Sequence, residues 1–221
     1  MDRSGRNQSD RRPPAARVAA IARIIAGNAD ALERDKRMPA EMLEALHAQG
    51  LFRMLLPKPF GGEEAEPLKF MDAIEAVARL DASVAWCICQ GNGCAMTAAC
   101  LAPETSQEIW GQDPRAVLAW GPGPADAVEV DGGYKVTGSL MFASGGRNAT
   151  WLGAHCKVKT ANGDVRTTTS GRPELRTFLM PADSIQMKDI WDVIGLRGTA
   201  SDAYDLEDGF VPARLTTLRD D

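Results

Sequence analysis

Positive charge is in deficit in this sequence of 221 residues: 25 lysines and arginines stand against 30 aspartates and glutamates, a formal balance of −5. A chain of that sign has no electrostatic reason to coat a polyanion, so neither nucleic acid nor an anionic membrane surface is an expected partner. Long apolar runs are lacking too. The most hydrophobic stretch, residues 83–101, is interrupted by Gln90, Gly91, Asn92 and Gly93, whereas a spanning helix needs about 20 predominantly apolar residues. Histidine is scarce, with two residues. His47 falls on an amphipathic helix pattern and reads as a solvated helix residue; His155 falls in a strand pattern beside Cys156. Neither is expected to act as a base. Four of the five cysteines, Cys87, Cys89, Cys94 and Cys100, are not spaced as a zinc knuckle and neither histidine is close to those four, so no metal site is expected. Cys87, Cys89, Cys94 and Cys100 fall in the apolar stretch and read as small buried thiols on a packed helix. Reduced thiols suit a cytoplasmic location. A nucleotide-binding βαβ unit is also missing: Gly121-Pro122-Gly123-Pro124 is followed by no helix pattern and is not a dinucleotide fingerprint.

The residues that are present divide the chain in two. The N-terminus carries Arg3, Arg6, Arg11 and Arg12, but Arg17 and Arg23 interrupt the apolar stretch after them, so no export signal is expected and residues 1–14 read as a disordered basic tail. Val18, Ile21, Ala22 and Ile25 have the spacing of one helix face. A second helix is expected from Pro39 to Gly50, with Met42, Leu43 and Leu46 inward. Residues Leu51–Pro59 read as an extended piece. A third helix is expected from Pro67, burying Phe70, Met71, Ile74, Val77 and Ala78. A fourth begins after Asp81, and a short fifth runs from Pro103 to Trp110-Gly111. Beyond that point glycine, proline and β-branched residues become dense. Val128-Glu129-Val130, Asp131-Gly132-Gly133 and Tyr134-Lys135-Val136 form a hairpin pattern. Further strands are expected at Ala116–Trp120, Leu140–Ala143, Trp151–Val158, Arg176–Met180 and Ala203–Leu206. The expected fold class is α+β: an all-α domain over residues 15–113, then a small β-barrel or sandwich over residues 114–221. Taken singly, Trp120 and Trp191 read as β-domain core, Ser144 as a turn residue and Arg197 as a surface charge.

The wording of several segments points further. Gly50-Leu51-Phe52 with Leu56-Pro57 and Phe60-Gly61-Gly62, Asp81-Ala82-Ser83-Val84-Ala85-Trp86, and Asp131-Gly132-Gly133-Tyr134-Lys135-Val136-Thr137-Gly138 occur in order. Phe142-Ala143-Ser144-Gly145, the run Trp191–Thr199 and Phe210-Val211-Pro212 come next. Together these resemble the acyl-CoA dehydrogenase superfamily. Phe142–Gly145 and Trp191–Thr199 are most similar to its flavin-dependent monooxygenase branch.

That resemblance implies a flavin cofactor, FMN or FAD, lying on an apolar bed with hydrogen bonds at its polar edge. It implies that Phe142, Ala143 and Ser144 run along the ring, with the Ser144 hydroxyl near ring nitrogen N5. It places Trp120 and Gly121 at the other ring edge, Trp191 against the ring, and Arg197, Thr199 and Ser201 on a loop lining the cofactor or the mouth of the site. It implies a small-molecule substrate and a flavin reductase that supplies reduced flavin; acyl-CoA dehydrogenation with FAD and a non-catalytic binding module are the alternatives. Two positions depart from the branch: Ser139 and Leu140 stand where an Arg-Trp pair is usual, and Gln90–Cys94 lacks a histidine two turns after Trp86. No catalytic residue is assigned. The family continues after Val211-Pro212 with a helical bundle, and nine residues remain here. The expectation is a site incomplete in one chain, finished by a homo-oligomer or a complementary C-terminal chain.

Overall fold

The computed structural model describes residues 12–218. Of the expected tail, residues 1–11 lie outside the described residues, and Pro14 already opens the first helix. Helix α1 (Pro14–Gly27) buries Val18, Ile21 and Ile25, as an i, i+3, i+7 pattern requires. A short α2 (Ala29–Asp35) comes next and ends on Lys36 in the left-handed region. Helix α3 (Ala40–Ala48) starts just after Pro39 and buries Met42 and Leu46. Helix α4 (Pro67–Ala78) buries Phe70, Ala73 and Val77. Met71 and Ala78, expected inside, are exposed because the buried stripe runs through Ala73 instead. Helix α5 (Ala82–Ala95) is capped by Asp81, whose carboxylate accepts the Val84 N–H at 2.9 Å. A short α6 (Pro103–Ser106) continues through a wider turn over Gln107–Gly111.

Residues 51–59 are not extended. They fold into successive bends ending in a single helical turn at Lys58–Phe60. The Glu63 and Ala65 N–H groups donate back to the Arg53 and Met54 carbonyls at 3.0 and 2.8 Å, so the segment doubles on itself. Gly62 sits where a Cβ would lie 1.8 Å from the Leu56 carbonyl oxygen; only glycine fits the return. Asn92, fully buried on α5, pins the loop. Its amide donates to the Leu51 and Ile88 carbonyls and accepts from the Leu55 N–H, all within 2.9 Å.

The second half is an eight-stranded sheet. Its strands are β1 (Leu118–Trp120), β2 (Ala125–Val130), β3 (Gly133–Ala143), β4 (Trp151–Lys159), β5 (Leu175–Pro181), β6 (Met187–Lys188), β7 (Asp202–Pro212) and β8 (Thr216–Leu218). The order is β6-β7-β3-β2-β4-β5-β8, with β1 beside β4. The expected hairpin is β2–β3, paired from Val130↔Gly133 to Ala125↔Gly138. Leu140–Ala143, expected as a separate strand, is the far end of β3. β1 and β2 both run parallel to β4, at its start and its end. The sheet curls on itself: the buried Tyr204 hydroxyl on β7 donates to the Gly153 carbonyl on β4, although β3 and β2 lie between those strands in the order. Tyr134 on β3 meets Phe178 on β5 edge-on at 5.2 Å.

Two apolar cores result. One lies among α1, α3, α4 and the first half of α5. The other fills the curled sheet and also takes in Cys94, Ala95, Ala98, Leu101, Ile109 and Trp110. Helix α5 is therefore shared, its N-terminal half in one core and its C-terminal end in the other. No described helix is long and apolar enough to cross a membrane.

Candidate flavin site

Three hydroxyls converge where the end of β3 meets α5 and the turn before β7. Ser144 comes directly after β3, and its N–H donates to the Phe142 carbonyl at 2.9 Å. The Gly145 N–H donates to the Thr199 carbonyl at 2.9 Å, tying the end of β3 to the turn Arg197–Thr199. The Ser144 and Ser201 oxygens are 2.7 Å apart, and those of Ser201 and Thr199 2.8 Å. Thr199 donates to the Leu196 carbonyl at 2.9 Å, and the Trp86 indole donates to Ser144 at 2.9 Å. All three hydroxyl residues are buried.

The backbone here is unusual. Phe142, Leu196 and Ala200 have φ of 61°, 58° and 41°, left-handed values that side chains with a Cβ avoid. At Phe142 the cause is a bulge: pairing with β7 shifts between Leu140 and Ala143. The bulge turns Phe142 out, leaving it 54% exposed, and its ring meets Trp191 edge-on at 6.0 Å. The Trp191 indole donates to the Leu196 carbonyl at 3.0 Å, so that oxygen accepts from both Trp191 and Thr199.

The Trp191 loop is held from beneath by Asp202, which is fully buried. One of its oxygens accepts the Ile190 and Trp191 N–H groups at 3.0 and 2.9 Å. The other takes Arg147 Nε at 2.6 Å. Arg147 reaches on to Asp189 at 2.8 Å, and Lys36 from the helical half also pairs with Asp189. The Lys36 and Arg147 cations hold the Asp189 carboxyl below its ordinary range, chiefly through the Lys36 hydrogen bond.

The residues singled out in the sequence fall into three places. Ser144, Thr199 and Ser201 form one hydrogen-bonded cluster, with Phe142, Ala143 and Trp191 around it. Gly121 abuts the same strand, where an added Cβ would lie 1.9 Å from the Met141 carbonyl oxygen. Trp120 turns the other way: its ring packs edge-on against His155 at 4.7 Å, and His155 hydrogen-bonds Thr177. Arg197 pairs with Asp192 at 2.9 Å and braces its own loop. Sequence reasoning passed over Trp86, Leu196, Arg147 and Asp202. Trp86 carried a signal, an aromatic closing the Asp81–Trp86 passage on an otherwise buried helix; it is 45% exposed.

The cysteines and His47 differ in part from expectation. Burial pushes the Cys87, Cys94 and Cys156 thiols up to about 12, which keeps them protonated and inert. Cys89 is half-buried and Cys100, which lies past the end of α5, is exposed. His47 is not simply solvated. Its ring lies tilted against Phe52 at 5.0 Å, and burial, aided by Arg115, lowers its pKa from 6.5 to about 4.

Exposed Phe142 and half-buried Trp191 form an apolar face, and the buried hydroxyl cluster of Ser144, Ser201 and Thr199 is tied to it through the Leu196 carbonyl. The fold and the sequence agree on the class. Residues 15–109 match the family model described as acyl-CoA dehydrogenase, N-terminal domain, and this stretch of the chain belongs to the acyl-CoA dehydrogenase superfamily. Among curated relatives, it is 31% identical over 198 residues to the flavin-dependent monooxygenase, oxygenase subunit HsaA, of Rhodococcus jostii, covering 89% of this chain and 50% of that protein. It is 32% identical over 206 residues to the FADH(2)-dependent resorcinol hydroxylase, oxygenase component, of a Rhizobium species, covering 92% of this chain and 49% of that one. The crystal structure of 3-HSA hydroxylase from Rhodococcus sp. RHA1 superposes with a TM-score of 0.83 at 28% identity, over 95% of this chain and 53% of that one. The chain thus spans about half the length of the relatives it matches.

Proposed function

We propose that this chain is the flavin-binding front part of a monooxygenase oxygenase component, one that uses reduced flavin and oxygen on a small organic substrate. The observation that carries the reading is the convergence of Ser144, Thr199 and Ser201 beside the outward Phe142–Trp191 face. The similarity to two oxygenase components supports it. The cofactor, FMN or FAD, supplies the electrons that activate oxygen. The chain's residues hold and orient it: Phe142 and Trp191 form its apolar bed, Gly121 and Ala143 let it approach backbone, and Ser144 meets its polar edge. Thr199 and Ser201 act through Ser144, and Arg197 shapes the mouth of the site. Trp120, facing His155, contributes to the sheet that carries the bed. The helical unit comprises residues 15–113 and the flavin-facing β unit residues 114–221. A reductase supplies the reduced cofactor, and the protein works as a homo-oligomer. The buried, protonated thiols suit a cytoplasmic setting.

The test is an anaerobic titration of the purified protein with oxidised and photoreduced FMN and FAD, monitored by fluorescence and absorbance. Saturable binding is expected, with admission of oxygen leading to oxidation of the bound flavin. Failure of all four forms to bind overturns the reading. Reduction of bound FAD by an acyl-CoA thioester reassigns the chain to the dehydrogenase branch.

A further inference from the structure

The hydrogen bonds around Ser144 have a fixed direction. An indole N–H can only donate and a backbone carbonyl can only accept, while each hydroxyl owns one proton. Thr199 gives its proton to the Leu196 carbonyl. Ser201 must then give its proton to Thr199, and Ser144 must give its own to Ser201. At the other end the Trp86 indole donates into Ser144. The row runs one way, from Trp86 through Ser144, Ser201 and Thr199 to Leu196. Ser144 has no proton to spare; its remaining capacity is a lone pair.

We infer that this row sets Ser144 as a hydrogen-bond acceptor toward the ligand, so that the site selects the reduced flavin through Thr199 and Ser201, residues that do not touch it. The inference rests on the flavin reading of the site. Ring nitrogen N5 carries a hydrogen, and so donates, only when the flavin is reduced; oxidised N5 accepts. A reduced ring meets the open lone pair of Ser144 directly. An oxidised ring needs a proton from Ser144, which requires Ser201 to turn back to Ser144 and Thr199 back to Ser201. That reversal breaks the bond from the Thr199 hydroxyl to the Leu196 carbonyl, which keeps the Trp191 indole and the Thr199 backbone N–H, so the row as a whole loses one hydrogen bond. One neutral hydrogen bond is worth about a five-fold preference. Thr199, Ser201 and Trp86 are thus positioning residues.

The experiment measures dissociation constants for oxidised and reduced flavin in the wild type and four variants, and reads their ratio. In Thr199→Val the Ser201 proton loses its acceptor and turns to Ser144, freeing the Ser144 proton for the ligand. In Ser201→Ala the Ser144 proton is freed directly. Both variants are expected to lower the oxidised-to-reduced ratio about five-fold, chiefly by tightening oxidised flavin. Thr199→Ser keeps the hydroxyl and the wild-type ratio. Trp86→Phe removes the donor at the other end and weakens both redox forms alike. A merely structural role for Thr199 and Ser201 would weaken both forms equally and leave the ratio unchanged. That result overturns the inference while the flavin reading stands; it means the open lone pair faces the small cavity of about 10 Å³ lined by Cys87, Gly91 and Val117. No binding of either form by the wild type overturns both.

Discussion

Burying a carboxylate is costly unless its oxygens are filled, and Asp202 fills them with two backbone N–H groups and Arg147. Its partners are spread over two segments, the turn after β3 and the loop carrying Trp191. Asp202→Ala strands Arg147 with only Asp189 and frees the Ile190 and Trp191 amides. A loss of about 3 kcal/mol is expected in chemical denaturation, together with weaker packing of Trp191 seen in its fluorescence. His47 makes a prediction of different character. Its folded pKa of about 4 lies below the ordinary 6.5, so the unfolded chain binds the proton more readily. The favourable contribution is complete above about 6.5, declines as pH falls from there, and is gone below about 4. His47→Gln should flatten the stability profile across that window, measured by thermal melts at a series of pH values; an unchanged slope would assign the acid sensitivity to other groups.

Among the elements, α5 shows what a sequence exposes and what it hides. Its existence, its Asp81 cap and its apolar character could be read directly, because capping chemistry and helical periodicity are local. So could the β2–β3 hairpin, whose glycine turn sits between alternating residues. The bends of residues 51–59 could not, because they depend on Asn92, 37 positions away from Leu55, and on backbone contacts that only glycine permits at Gly62. Asn92→Ala should therefore act at a distance. The Leu51 carbonyl and the Leu55 N–H lose their partner, a cost of about 2–4 kcal/mol, and hydrogen exchange should rise at Leu55 more than within α5 itself. The parallel contacts of β1 and β2 with β4 were likewise unreadable, since strand alternation carries no information on which strand lies alongside. In the site, Ser144, Thr199 and Ser201 were legible only through family resemblance. Trp120 shows the limit of that route: the position was singled out as a strand end near Gly121, but side-chain parity sends the ring to His155.

For the molecule as a whole, the shared helix matters most. One core ends on the first half of α5 and the other begins near Cys94, so neither half can unfold without stripping apolar surface from the other. Arg53 reinforces the join by donating to the Phe60 and Trp110 carbonyls at 2.5 and 2.7 Å. Unfolding by denaturant should be a single transition, with far-ultraviolet circular dichroism and tryptophan fluorescence superimposing. Separate transitions would mean that the helical and β halves are independent units.

The left-handed backbone at Phe142 sets stability against performance. A glycine there would relieve the steric cost of the bulge, roughly 1–2 kcal/mol, although part of that gain is returned as chain entropy. The same change deletes the aromatic ring that the bulge turns outward. Selection for heat resistance alone would therefore drift toward Phe142→Gly and erode the flavin binding proposed for that ring, whereas selection for that binding would preserve the strain. An evolving population holding both demands would be expected to compensate elsewhere, in the cores or helix caps, and leave this residue alone.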